Sequence, residues 1–278
     1  MRPRPLLLTA AAVLAVVHVI GVLFARPLYR PAEVLATLCL LACAIGSDLR
    51  ADRGPARWGP TVAAAVLVAG AALTVPPPPG DGTGLQFLSV EQYDGSVLRT
   101  QLQSLIPVTV ALLFVLVLLA TGGKPRLSRT WLGAAIAAGV LVVFYTAARL
   151  ALINSVLKET GPEGLPRLPP AVVALMPLLL ALAALALAVV TAAQRRPLAA
   201  GGALLLVPAA LIWIDTALGA TLLPYEVYDT ATLLSPDLIT ATDTLPQPTQ
   251  ALTAALCLTA AVLLIAGLRS AAAGPRAT

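Results

Sequence analysis

Histidine is all but absent from this chain: His18 is the only one in 278 residues. A b-type haem held by two protein imidazoles therefore has no ligand pair. A zinc site would have to join His18 to cysteines at other depths, and no ligand spacing supports one. The three cysteines, Cys39, Cys43 and Cys257, all fall inside apolar stretches. None sits in a connecting loop, so no disulfide framework is indicated. Cys39 and Cys43 are i and i+4 and share a helix face. They read as small core residues rather than as a metal or redox pair.

Charge is scarce as well. Charged residues make up 11% of the chain, against about 25% in an ordinary soluble domain. Lysine is nearly missing, with Lys124 and Lys158 set against sixteen arginines. With abundant Ala, Leu, Gly and Pro, that bias hints at a GC-rich bacterial genome. The net charge of +5 is dispersed over short loops without interleaved aromatics, so no nucleic-acid partner is expected. The phosphate-binding loop, the dinucleotide fingerprint and the H-E-x-x-H pattern are absent, as is the G-x-S-x-G elbow. Multi-pass lipid-linked glycosyltransferases carry acidic residues in their first outer loop. Here that loop, Arg26-Pro27-Leu28-Tyr29-Arg30, has none. No cofactor and no resident metal are expected.

What is present is hydrophobicity, at 59% of residues and a mean hydropathy of +0.91. A soluble fold of this length has no way to bury so much apolar surface, so lipid is the expected solvent for the remainder. With a window of about 19 residues, eight stretches emerge: 6–25, 32–47, 58–75, 104–121, 130–153, 170–193, 198–219 and 249–268. A helix rises 1.5 Å per residue, so most of them reach across a hydrocarbon core of about 30 Å. The fold expected is an all-α integral membrane protein: one polytopic bundle of about eight transmembrane helices spanning residues 1–278. Residues 6–25 follow a basic N-terminus as a secretory signal would. A cut after Ala25 would leave Leu23 at the −3 position, a poor site, so the stretch is taken as the first transmembrane helix.

The loops give a direction. The N-terminus, 48–57, 122–129, Arg195-Arg196 and the tail carry twelve of the 18 basic residues and two of the 13 acidic ones. The connections near 26–31, 76–103, 154–169 and 220–248, counted with the residues near the adjoining helix ends, carry the other six basic and eleven acidic residues. Lys and Arg concentrate on the cytoplasmic side, so both termini are expected in the cytoplasm of a cell (inner) membrane protein. The 32–47 stretch gives only about 24 Å. If it failed to cross, every later basic loop would face outward. Trp58 and Trp131 fall where aromatic rings favour the cytoplasmic interface. Gln194-Arg195-Arg196-Pro197 leaves room only for a tight turn, so helices six and seven should be antiparallel neighbours. Long outer loops at 76–103 and 220–248 are compatible with two four-helix halves. Pro107, Pro177 and Pro208 sit inside apolar stretches, where proline can kink a helix.

Ionisable groups at membrane depth are costly and mark candidate sites. Four qualify: His18, Glu33, Arg149 and Asp215. The deduced orientation places all four in the outer half, beside Tyr29, Tyr145, Thr109, Trp213 and Gln250. The sharp reading is a polar cavity open to the outside, with Arg149 paired to Asp215 or Glu33. The bland reading is that Arg149 snorkels to the headgroups while the acids mark interfacial ends. The function expected is a non-enzymatic accessory, binding or permease-like role, with a small solute or a membrane-protein partner. The alternative is a membrane-embedded enzyme acting at the outer face on a lipid or cell-envelope substrate. It would draw on Asp81, Glu91 and Asp94 with Glu226, Asp229, Asp237 and Asp243, whose spacing matches no catalytic template.

Overall fold

Ala and Leu are the strongest intrinsic helix formers, and they dominate every apolar stretch. The computed structural model accordingly shows helix along each of them. It describes residues 3–24, 29–48, 59–73, 105–119, 128–160, 169–220 and 248–270. Among these residues there are eight helices and no strand. They are α1 (Pro3–Leu23), α2 (Tyr29–Asp48), α3 (Gly59–Leu73) and α4 (Leu105–Leu119). α5 (Arg129–Thr160), α6 (Pro170–Ala193), α7 (Pro197–Ala220) and α8 (Pro248–Ser270) follow.

Five of them, α1 and α5 to α8, are long and apolar enough to cross a membrane. α3 has 15 residues, a rise of about 22 Å, and α4 is equally short. The apolar part of α2 runs only from Pro31 to Ile45. The outer surface still asks for an apolar solvent: Val140, Leu141 and Phe144 on α5 are 63%, 68% and 70% exposed. Val13, Val16 and Ile20 on α1 and Val117 on α4 are also mostly exposed. Apolar exposure on this scale is foreign to a protein surrounded by water.

The boundaries differ from the hydropathy pattern where no breaker stops the chain. α5 continues to Thr160, well past the expected residue 153. Leu157 and Lys158 are good helix formers, and Gly161-Pro162 are the first breakers met. α2 begins two residues before Pro31, which therefore sits in the first turn. Pro107 is likewise the third residue of α4. Its missing N–H falls among donors that have no intrahelical partner anyway, so it costs α4 no hydrogen bond. Pro177 and Pro208 lie within continuous helices; neither breaks its helix.

Chain neighbours pack as spatial neighbours. α7 is the centre of the second half and packs most extensively against α6 and α8. α1 packs on α2, α2 on α3, and α8 reaches across to α1. The largest core joins Leu112 and Val115 of α4 to Leu180, Ala184 and Leu187 of α6 and Ala203 and Ala210 of α7. Two glycines let α7 and α8 approach closely. A Cβ at Gly202 would stand 2.8 Å from the Ala260 carbonyl oxygen and 2.9 Å from the Leu264 nitrogen. A Cβ at Gly267 would lie 2.9 Å from Ala199 Cα and overlap its nitrogen.

The expected tight turn joins α6 and α7 as antiparallel neighbours. Arg195 takes a left-handed φ of 58°. Its N–H reaches the Ala192 carbonyl, and the Arg196 N–H reaches Thr191, both at 2.9 Å. This is the paired capping arrangement that satisfies the last carbonyls of a helix. Side chains of the same turn tie in two other helix ends. Gln194 Nε2 donates to the Leu119 carbonyl at 3.1 Å, and Arg196 Nη1 donates to Leu268 at 3.4 Å. A cation suits the negative end of a helix dipole. Burial pushes the Arg196 guanidinium down from its usual range.

Candidate functional site

The four singled-out residues separate into two places. His18 of α1 and Glu33 of α2 line a cavity of about 190 Å³ to which α3, α4, α6, α7 and α8 also contribute. Arg149 and Asp215 do not line it. They meet each other between α5 and α7, so α7 stands between the two groups.

The cavity has a polar end. Counting along each helix at 1.5 Å per residue, Glu33 lies about 6 Å from the start of α2. Thr253 lies about 7.5 Å from the start of α8, and His18 about 7.5 Å before the end of α1. Trp213 lies about 10 Å before the end of α7, and Thr37 one helical turn beyond Glu33. These ends all belong to the side on which α1 finishes and α2 begins. His18, at 5% exposure, and Thr37 and Thr253 are buried; Glu33 and Trp213 are half-buried. Towards the other end the lining is aliphatic, with Ala63, Val115, Leu264 and Leu268.

Local hydrogen bonding explains why threonine is tolerated there. Thr37 Oγ1 donates to the carbonyls of Glu33 and Val34 at 3.0 and 2.9 Å. Thr253 Oγ1 donates to Thr249 at 2.9 Å. Such back-bonding satisfies the hydroxyl within its own helix. Thr37, Thr253 and Cys257 were not legible as cavity residues from depth alone. The available signal was spacing: Thr37 is i+4 from Glu33, and Cys257 is i+4 from Thr253, so each pair shares a face.

The second place is a three-residue polar cluster. Arg149 Nε donates to Asp215 Oδ1 at 2.7 Å, and Tyr145 Oη donates to Asp215 Oδ2 at 2.6 Å. Tyr145 and Arg149 are i and i+4 on α5, so one helix face presents both donors. The ion pair is about one-third exposed, at 34% and 39% for the two side chains. Ile153 of α5, Ala174 of α6 and Ile214 and Leu218 of α7 form a small apolar cluster joining the same helices. The arrangement fastens α5, otherwise held chiefly by α6, to α7.

No group of three or more His, Cys, Asp or Glu residues suited to a metal occurs among the described residues. The cysteines there are free thiols. Among the other residues at that depth, Thr109 is buried and Gln250 exposed. Trp58 and the carboxylates Asp81, Glu91, Asp94, Glu226, Asp229, Asp237 and Asp243 lie outside the described residues. No family model, curated protein or solved structure matches this chain.

Proposed function

We propose that this chain is an eight-span inner-membrane protein that binds a small solute in the His18–Glu33 cavity, in a permease-like or accessory role. Both termini lie in the cytoplasm, and the polar end of the cavity opens to the outside. The observation that carries the reading is the convergence of His18, Glu33, Thr37, Trp213 and Thr253 from four helices on one end of one cavity. Ligand sites are concave and mostly apolar, with a few polar groups that fix orientation. Ionisable side chains at membrane depth face such interiors rather than lipid. The short helices α2, α3 and α4 fit this arrangement: α2 and α3 pack against neighbouring helices, and α4 shares the large core with α6 and α7. Local bilayer thinning accommodates short spans at modest cost.

Orientation is tested by reporter fusions active on only one side of the membrane. Fusions at the two termini should report the cytoplasm, and fusions within 76–103 and 220–248 the outside. Both long loops reporting the cytoplasm would overturn the reading.

A further inference from the structure

Three of the described arginines share one level of the bundle, at the end where α5 and α7 begin and α6 finishes. Two contacts fix that level. A Cβ at Gly139 would touch Leu182 and Leu185 of α6 at 3.7 and 4.0 Å. Gly139 is ten residues past Arg129, and those leucines are twelve and nine before Gln194. The Arg149–Asp215 pair lies twenty residues past Arg129 on α5 and nineteen past Arg196 on α7. At 1.5 Å per residue, both comparisons set Arg129 within about 3 Å of the Arg195-Arg196 turn along the bundle. Packed helices lie about 8–10 Å apart, so a group between them is in reach of both sides.

The positive charge there is unanswered. Arg129 and Arg195 are exposed, and no acidic side chain among the described residues pairs with either. Arg196 Nη1 donates to the Leu268 carbonyl, while its buried Nε has no partner. Asp215 lies about 28 Å farther along α7. The positive end of the α7 dipole, starting at Pro197, adds to the three guanidinium groups.

An apolar track runs away from Arg129. Leu132, Ile136, Val140 and Phe144 follow it at i+3 and i+4 steps on one face of α5. They are 42%, 58%, 63% and 70% exposed. Gly133, near the head of the track, leaves open space: a Cβ there meets nothing within 4 Å. From Leu132 to Phe144 is about 18 Å, close to one leaflet of a hydrocarbon core of about 30 Å. Trp131, exposed beside Arg129, carries the ring favoured at headgroup level.

We infer that this end of the bundle holds an anionic phospholipid. Its phosphate lies on Arg129, Arg195 and Arg196, and an acyl chain follows Leu132, Ile136, Val140 and Phe144. Charge complementarity selects the head: guanidinium matches phosphate geometry, and basic pockets between transmembrane helices take anionic headgroups. The track selects a lipid, since a free phosphate would use the arginines alone. The site is separate from the cavity and independent of it.

The test uses the full chain in mild detergent with equimolar phosphatidylglycerol and phosphatidylcholine of identical chains. Native mass spectrometry then counts the lipids retained. Phosphatidylglycerol should be retained over phosphatidylcholine by about tenfold or more. Arg129→Gln and Arg195→Gln should each cut that preference about fivefold, what one arginine near an anionic surface contributes. Both side chains are exposed, so neither change touches the core. Lys158→Gln removes the same charge at the other end of α5 and should leave the preference unchanged. No preference in the wild type would overturn the inference. An equal loss with Lys158→Gln would do so too, reducing the effect to net charge. Displacement of the lipid by excess inorganic phosphate would make this a site for a free anion, and a dimer carrying no lipid would give the face to a second copy; either result contradicts the inference. All of these outcomes leave the cavity reading untouched.

Discussion

Gly267→Leu is expected to cost about 3 kcal/mol or more of stability and to separate α8 from α7. The reason is backbone contact. The space a Cβ would need at Gly267 is occupied by the nitrogen and Cα of Ala199. A flexible neighbour could swing away, but a helix backbone moves only with its whole turn. Gly267→Ala and Gly202→Ala should share the defect in milder form, since Gly202 faces the Ala260 carbonyl and the Leu264 nitrogen. Gly201 is the internal control. It lies beside Gly202 in sequence but about 100° away around the helix. A Cβ there meets nothing within 4 Å. Gly201→Ala should therefore be neutral or stabilising by about 0.5–1 kcal/mol, because alanine costs less entropy in a helix. Equilibrium unfolding in detergent gives all four values. Equal effects at Gly201 and Gly202 would refute the close approach. Because α8 forms one wall of the cavity, Gly267→Leu should abolish ligand binding too.

Asp215→Ala is expected to cost about 2 kcal/mol. Removing one partner of a buried ion pair costs roughly 3–5 kcal/mol, and the one-third exposure of this pair calls for a discount. The loss arises mainly from Arg149, left charged and unpaired at the α5–α7 seam. Replacing both residues by apolar ones, Arg149→Met with Asp215→Leu, should therefore recover most of it. Tyr145→Phe removes one hydrogen bond to the carboxylate and should cost about 1 kcal/mol. A double-mutant cycle on Arg149 and Asp215 isolates the pairwise energy. A coupling near zero would mean that the contact does not hold α5 in place. None of these changes should alter solute binding in the cavity, because the cluster lies on the far side of α7 from it.

The eight helices were legible because each apolar run is long and rich in good helix formers. Their ends were less so. α5 overran its apolar stretch because helix formation ends at a breaker, whereas hydropathy falls as soon as polar residues appear. The polar residues were legible by depth, which is a count along each helix. Their grouping was not, because it depends on how each helix is turned about its axis. His18 and Glu33 turn towards one cavity, while Arg149 and Asp215 turn towards each other. Near-continuous apolar sequence carries little rotational information when nearly every face is apolar. Spacing supplies some: the i+4 steps from Glu33 to Thr37 and from Tyr145 to Arg149 each define a face. The Ala199–Gly267 contact joins positions far apart in sequence, and nothing local announces it. The caps from Gln194 and Arg196 to Leu119 and Leu268 escape sequence reading for the same reason.

The central claim is a cavity whose polar end is reached from outside the membrane. Its most direct test is thiol labelling at Thr253, with Cys39, Cys43 and Cys257 replaced by Ala. Cells expressing the Thr253→Cys chain are exposed to a small, membrane-impermeant methanethiosulfonate reagent. The account predicts labelling from the outside. Labelling of Thr253→Cys only when the reagent is admitted to the cytoplasmic face would contradict it.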